Sequence, residues 1–202
     1  MIFNNKFILA STSKSRYFML KNTNLSFSRH APLCDETKLK KKLLLKKTIP
    51  KKISLELARL KAFSISKKIK NKIIVGSDTI IFINKKILNK AKNLTEAKNK
   101  IKIMAGKSHS IYSSVSVFYN KKEIWHKTQK TTVKIRKLTD KEINIYLSNT
   151  GTKILSSVGC YQIELGGANI IENIKGDYFN VMGFPLFPFL NFLKKLNIKK
   201  LK

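Results

Sequence analysis

Cysteine, arginine and carboxylates are scarce in this chain, and long apolar runs are missing. Its two cysteines, Cys34 and Cys160, lie far apart and make no metal-ligand spacing. Reduced thiols in a cytoplasmic protein are the expectation. No stretch approaches the roughly 20 apolar residues of a membrane-spanning helix, and no long apolar segment follows the first charges, so neither a membrane partner nor a signal peptide is expected. No Walker-type glycine loop, Gly-x-Ser-x-Gly elbow or dinucleotide fingerprint occurs, and no internal repeat. His109 has no second His or Cys at metal spacing and reads as structural.

The shortage of acid is the largest imbalance: 11 Asp and Glu stand against 42 Lys and Arg, a formal net charge of +31. Such a charge ordinarily suggests nucleic acid or an acidic surface. Only four of the basic residues are arginine, however: Arg16, Arg29, Arg59 and Arg136. The lysines are scattered along the whole chain together with Asn and Ile, residues that share A/T-rich codons. Drift in base composition accounts for that pattern, whereas nucleic-acid surfaces favour arginine forks and interleaved aromatics. Nucleic-acid binding is therefore not required, although a basic nucleic-acid- or partner-binding protein with reduced catalysis remains the alternative. With 202 residues, 43% of them hydrophobic, the chain can bury a substantial core, and one domain over 1–202 is expected.

Patterning predicts a mixed α/β protein. Phe7 to Ala10 reads as a buried strand, followed by Ser11-Thr12-Ser13 and a helix from Lys14. Leu25 to Arg29 alternates as a second strand, and Lys38 to Lys52 reads as a lysine-rich mobile linker ending at Pro50. Ser54 to Lys68 has helical spacing. Ile73 to Val75 predicts a strand ending at Gly76-Ser77-Asp78-Thr79, with Ile80 to Ile83 as a further apolar run and Asn84-Lys85 as a hairpin turn. Thr95 can cap a helix to Met104. Ser108 to Tyr119 and Glu123 to Lys137 form a long antiparallel hairpin, and Thr139-Asp140-Lys141-Glu142 is a capping box. Val158 to Ile163 and Ile170 to Asn173 read as short strands, and Pro185 opens a last amphipathic helix. These elements make a mixed, twisted sheet with flanking helices, in two lobes around a central cleft.

Two places could carry chemistry. The hydroxyl-rich loop Ser11–Ser13 opens a helix, whose free N–H groups and dipole favour an anion, and Arg16 can add a bidentate grip on phosphate oxygens. The same pattern also suits a plain strand–turn–helix with Ser13 as N-cap. Asp78 follows Gly-Ser after an apolar strand, where a charge must be paired or solvated. It can be a turn aspartate, or one of a set with Asp35 and Glu36, since paired carboxylates beside an anion-binding loop hold a hard divalent cation such as Mg²⁺, and one of them can act as base toward water.

Taken in order, these stretches resemble the Maf family of nucleoside triphosphate pyrophosphatases over nearly the whole chain. Leu9-Ala10-Ser11-Thr12-Ser13-Lys14-Ser15-Arg16 is similar to the family's L-A-S-x-S-P-R-R. Asp35-Glu36 matches its acidic loop, Leu57-Ala58-Arg59-Leu60-Lys61-Ala62 its L-A-x-x-K-A helix, Gly76-Ser77-Asp78-Thr79 its G-(S/A)-D-T strand end, and Lys90 its G-K-P lysine. Ala105 to His109, Leu138 to Ile143, Val158 to Ile163 and Gly176 to Leu186 complete the series. The resemblance implies a Maf/inosine triphosphatase-like fold. It also implies hydrolysis of a nucleoside triphosphate between the α and β phosphates with a divalent metal, Mg or Mn. Links to nucleotide-pool cleaning and arrest of cell division come with the family, and a homodimer is compatible with it. Carried over, Asp78 is the catalytic base and a metal ligand with Glu36, while Ser11, Ser13, Arg16, Lys61 and Lys90 bind substrate. Such a convergence of cations and backbone donors suits a triphosphate.

The chain departs from the family pattern at several positions, Ser15 in place of the first arginine and Glu164 in place of a glutamine among them. Lys14 replaces the loop proline, Leu60 a glutamate and Ala91 the proline after the cleft lysine. The resemblance assigns base selection to Ser15, Thr79 and Glu164. The thymidine/uridine subgroup carries Arg, Thr and Gln there, and a 7-methylguanosine triphosphate subgroup carries Glu at the last position. A carboxylate at Glu164 accepts from guanine N–H groups and favours a cationic methylated base, so the expectation leans toward a purine or modified base.

Overall fold

The computed structural model describes residues 6–196. β1 (Phe7–Ala10) runs through a short loop into α1 (Lys14–Lys21), whose N-cap is Ser13. β2 (Phe27–His30) begins later than the alternation from Leu25 suggests.

The lysine-rich segment departs from its reading as a linker. Most of it is α2 (Glu36–Leu45), and its end is already the start of α3 (Pro50–Ser66). Lysine is a good helix former, and the Asp35 side chain caps α2 by accepting from the Lys38 backbone N–H at 2.9 Å. Leu39 and Leu43 recur at helical spacing within the charge run and pack against Ile53, Leu57 and Ile80. Pro50 stands in the first turn of α3, where its missing N–H leaves no bond unmade.

β3 (Ile73–Ile83) is one continuous strand through Gly76-Ser77-Asp78-Thr79, where the sequence predicts an end. β4 (Lys86–Ile87) returns from the Asn84-Lys85 turn, and α4 (Leu94–Met104) is capped by Asn93 instead of Thr95. β5 (Ser108–Tyr119) and β6 (Lys122–Ile135) form the expected hairpin. Both hairpin turns hold positive φ at their central residues, 48° and 59° at Asn84-Lys85 and 46° and 69° at Asn120-Lys121, the type I′ pattern that matches strand twist. α5 (Asp140–Thr150) carries the reciprocal Thr139/Glu142 capping box. Residues 157–162 are an irregular connection between 3₁₀ segments Gly151–Ser156 and Ile163–Leu165, where the sequence predicts a strand over Val158 to Ile163. Cys160 sits there at φ 54°, a left-handed value incompatible with extended pairing. β7 (Ile171–Lys175), the short α6 (Tyr178–Val181) and α7 (Leu186–Lys195) complete the chain.

The sheet order is β2-β1-β3-β5-β6-β7, with β4 pairing β3. β1 is parallel to β2 and β3, and the remaining pairs are antiparallel. One register detail positions the site. β1 accompanies β3 only from Ile73 to Gly76, and β4 pairs with it only at Phe82 and Ile83. Between those limits one edge of β3 has no strand beside it, while β5 covers its other edge throughout.

Apolar packing divides along the same line. Ile73, Val75, Val115 and Val117 pack with Leu9, Leu20 and Phe189 at one end of the long strands. Ile81, Ile83 and Ile111 pack with Ala97, Ile101 and Tyr146 at the other. Between them the strands carry buried Ser77, Asp78, Ser113 and Ser114. The even-numbered face of β3 is covered by α3, with Ile74 against Ala62 and Ile65, and Ile80 against Ile53 and Leu57.

His109 is structural, as its isolation suggests. It is buried, with Nε2 2.6 Å from the Tyr161 hydroxyl, and loss of hydration pushes its pKa down to about 4. The unfolded chain then binds this proton near pH 6.5 while the native chain still refuses it. Stability should be full above pH 6.5 and fall by about 3 kcal/mol as pH drops toward 4. Urea unfolding at pH 7, 5.5 and 4.5 checks this, and His109→Gln should flatten that part of the dependence.

Candidate active site

The open edge of β3 gathers most of the chain's distinctive side chains. Successive residues of a strand point to opposite faces, so Asp78 faces α3 while Ser77 and Thr79 face the side occupied by α1. α3 lies unusually close here. A Cβ on Gly76 would fall 2.3 Å from the Ala58 carbonyl oxygen and 2.6 Å from the Ala62 nitrogen. That approach delivers Lys61, which directly precedes Ala62, onto Asp78.

Lys61 Nζ lies 2.7 Å from Asp78 Oδ1 and 2.9 Å from Glu36 Oε2. One ammonium thus holds two carboxylates from different elements together. Lys61 is 6% exposed and Asp78 8%, and charges this enclosed persist only when paired. The Asp35-Glu36 pair divides its labour: Asp35 caps α2, which frees Glu36, in the first turn, to reach the cluster. Among the described residues no group of three or more His, Cys, Asp or Glu comes together that could hold a metal ion.

On the other side of β3, Arg16 is buried and ties three segments. Its Nε donates to the Gly183 carbonyl at 2.8 Å, one terminal nitrogen to Thr79 Oγ1 at 2.9 Å, and the other to Ser11 Oγ at 3.4 Å. Burial lowers its pKa, and the nearby charges of Asp78 and Glu36 oppose that shift. Ser11 Oγ also accepts from the Ser13 backbone N–H at 3.2 Å, and Ser13 Oγ from the Arg16 N–H at 3.4 Å. The loop is thus wound on its own hydroxyls, with Ser13 an N-cap in fact. Arg16→Lys keeps the charge but loses the planar fork. It should cost about 2–3 kcal/mol in urea unfolding, through buried acceptors left without donors.

Lys90 is exposed, just beyond β4. Partial loss of hydration lowers its pKa, and the positive charges of Arg16 and Lys61 lower it further. The three cations therefore belong to one electrostatic neighbourhood. Lys40, which the linker reading passed over, belongs there too: desolvation lowers its pKa while Asp78 and Glu36 oppose the shift. Its spacing, four residues after Glu36, was the signal available in sequence.

The residues assigned to base selection make no hydrogen bond to one another. Thr79 Oγ1 is engaged by Arg16, by Ser113 Oγ at 3.0 Å and by the Gly183 carbonyl at 3.2 Å. Ser15 Oγ accepts from Gln162 Nε2 at 3.3 Å, a partner no sequence pattern indicated. Glu164 is exposed in the 3₁₀ segment Ile163–Leu165, and among the described residues no hydrogen bond or ion pair joins it to the cluster. A cavity of about 340 Å³ on the outer side of α3 contains Leu60, with Leu39, Phe63 and Phe118. Its one guanidinium, Arg59, is already committed to Glu56 and Glu123. It is the lysines around the acid pair, not this cavity, that offer cations to an anion.

Fold and site together define an α/β protein with a lysine-bridged carboxylate pair at a gap in a mixed sheet, whose open strand Arg16 ties to a helix-opening serine loop. The chain belongs to the family described as Maf-like protein, whose profile matches residues 6–196. Among curated relatives, it is 36% identical to the 7-methyl-GTP pyrophosphatase of Bartonella henselae (strain ATCC 49882 / DSM 28221 / CCUG 30454 / Houston 1), over 95% of this chain and 96% of that protein. It is 32% identical to the nucleoside triphosphate pyrophosphatase of Caulobacter vibrioides (strain ATCC 19089 / CIP 103742 / CB 15), over 92% and 93%. It is 38% identical to the dTTP/UTP pyrophosphatase of Thermosipho melanesiensis (strain DSM 12029 / CIP 104789 / BI429), over 89% and 91%. Among the described residues no helix is long and apolar enough to cross a membrane.

Proposed function

We propose that this chain hydrolyses nucleoside 5′-triphosphates to the nucleoside monophosphate and inorganic diphosphate. The observation that carries the reading is the Lys61 ammonium held between Asp78 and Glu36 at the open edge of β3, with Arg16 and Lys90 close by. Lys61 binds Oδ1 of Asp78, which leaves Oδ2 to take a proton from water as the water oxygen attacks at the α–β phosphoanhydride. The bridging P–O bond then breaks and diphosphate leaves. Lys61, Lys90 and the donors of the Ser11–Ser13 loop counter the charge on the phosphates, and Arg16 holds that loop against β3.

Two carboxylates are a hard-oxygen donor set that fits Mg²⁺ or Mn²⁺ when phosphate and water supply the remaining ligands. Such a cation would neutralise phosphate charge and polarise the anhydride. The relatives act on different bases, and the carboxylate of Glu164 favours a purine or modified purine over a pyrimidine. Cytoplasmic nucleotide pools suit the unpaired Cys34 and Cys160.

The test is diphosphate release from a panel of canonical and methylated nucleoside triphosphates with Mg²⁺ or Mn²⁺, repeated after chelation. Release that chelator abolishes and added metal restores supports the reading. Silence across the whole panel rules it out.

A further inference from the structure

Asn89, next to Lys90, is held from two sides. Lys40 Nζ donates to its side-chain oxygen at 2.7 Å and Lys100 Nζ to its backbone carbonyl at 2.6 Å. Lys40 lies one helical turn beyond Glu36 on α2, so both project from the same face, and Glu36 is bound to Lys61. α2 therefore reaches the site at one turn with a carboxylate and at the next with an ammonium. Lys38, Lys41 and Lys42 on the same helix are exposed, whereas Lys40 is half-buried.

We propose that Lys40 is a further cation of the polyphosphate subsite, lending its charge to the bound triphosphate from the α2 side while Arg16 stands on the other. This rests on the triphosphatase reading above. The charges balance with it included. Arg16, Lys40, Lys61 and Lys90 against Asp78 and Glu36 leave the site with two positive charges. A triphosphate of about four negative charges, carrying one divalent cation, arrives with about two negative. The nearby acids and the opposing lysines already dominate the electrostatics of Lys40 after desolvation, so an anion entering between them would relieve the repulsion.

Lys40→Gln separates charge from position, because the amide can still donate to Asn89; Lys40→Arg keeps the charge, and Lys42→Gln serves as the surface control. The readouts are KM and kcat with the best metal–nucleotide substrate, and calorimetric affinity for inorganic triphosphate with Mg²⁺. Lys40→Gln should raise KM and weaken triphosphate binding about tenfold with kcat within about twofold, and Lys40→Arg should recover most of the loss. Lys42→Gln should match the unmodified chain. The proposal falls if Lys40→Gln behaves like the control, or if Lys40→Ala alone is impaired, since the lysine then only secures Asn89. An active unmodified chain with an unaffected Lys40→Gln overturns this inference and leaves the function standing. A chain that neither hydrolyses nucleotides nor binds triphosphate overturns both.

Discussion

Asp78→Asn should lower diphosphate release by about 10²–10⁴-fold, the range for loss of a positioned general base, while nucleotide KM changes little. The amide is nearly the same size and can still accept from Lys61 Nζ, now 2.7 Å from Oδ1, but it cannot take a proton from water. Removing a negative charge beside the phosphates also does not weaken their binding. An unchanged KM with a collapsed kcat that excess Mg²⁺ or Mn²⁺ does not restore therefore assigns Asp78 to proton transfer. Lys61 would remain paired with Glu36 at 2.9 Å, so the fold should survive, and a thermal melt of the variant checks that. Full activity in Asp78→Asn would remove Asp78 from the role of base.

The largest structural effect is expected from the smallest substitution. Gly76→Ala places a methyl 2.3 Å from the Ala58 carbonyl oxygen and 2.6 Å from the Ala62 nitrogen. Both are backbone atoms of α3, so no side-chain rotation relieves the clash, and the helix must move off the sheet. Overpacking against rigid backbone should cost about 3 kcal/mol, read in urea unfolding. Lys61 sits between the two clashing residues, so its bridge to Asp78 and Glu36 should loosen as well. Activity should then fall more than the folded fraction does. A variant at Gly151 would not couple the two losses: a Cβ there meets nothing within 4 Å, although its φ of 58° would strain it.

Much of this arrangement is visible in local sequence. The β1–Ser11–Ser13–α1 unit, both type I′ hairpin turns and the Thr139/Glu142 capping box depend on neighbours within a few residues. Residue identity at one or two positions decides such features. Where the reading failed, a non-local partner or a masked period was responsible. The helix α2 was hidden because its apolar residues, Leu39 and Leu43, are embedded among lysines, and what they pack on, Ile53, Leu57 and Ile80, lies on other elements. The Gly-Ser-Asp-Thr stretch reads as a strand end because Gly76 and Asp78 are poor strand formers. It remains strand because β5 supplies a full antiparallel partner from Ile73 to Phe82.

What sequence alone determined is the chemical inventory: the hydroxyl loop, the scarce Asp35, Glu36 and Asp78, and the order of stretches that marks a Maf-like chain. What only the tertiary structure decided is which of those groups meet. β1 stops at Ala10 and β3 continues, so the sheet opens beside Asp78. The missing Cβ of Gly76 lets α3 settle against that opening, and Lys61 closes on carboxylates from β3 and α2 at once. The two arms of this bridge join residues 17 and 25 positions apart, Lys61 to Asp78 and Lys61 to Glu36. No local propensity encodes them, because they arise when a sheet edge, a helix and a loop compete for the same few cubic ångströms.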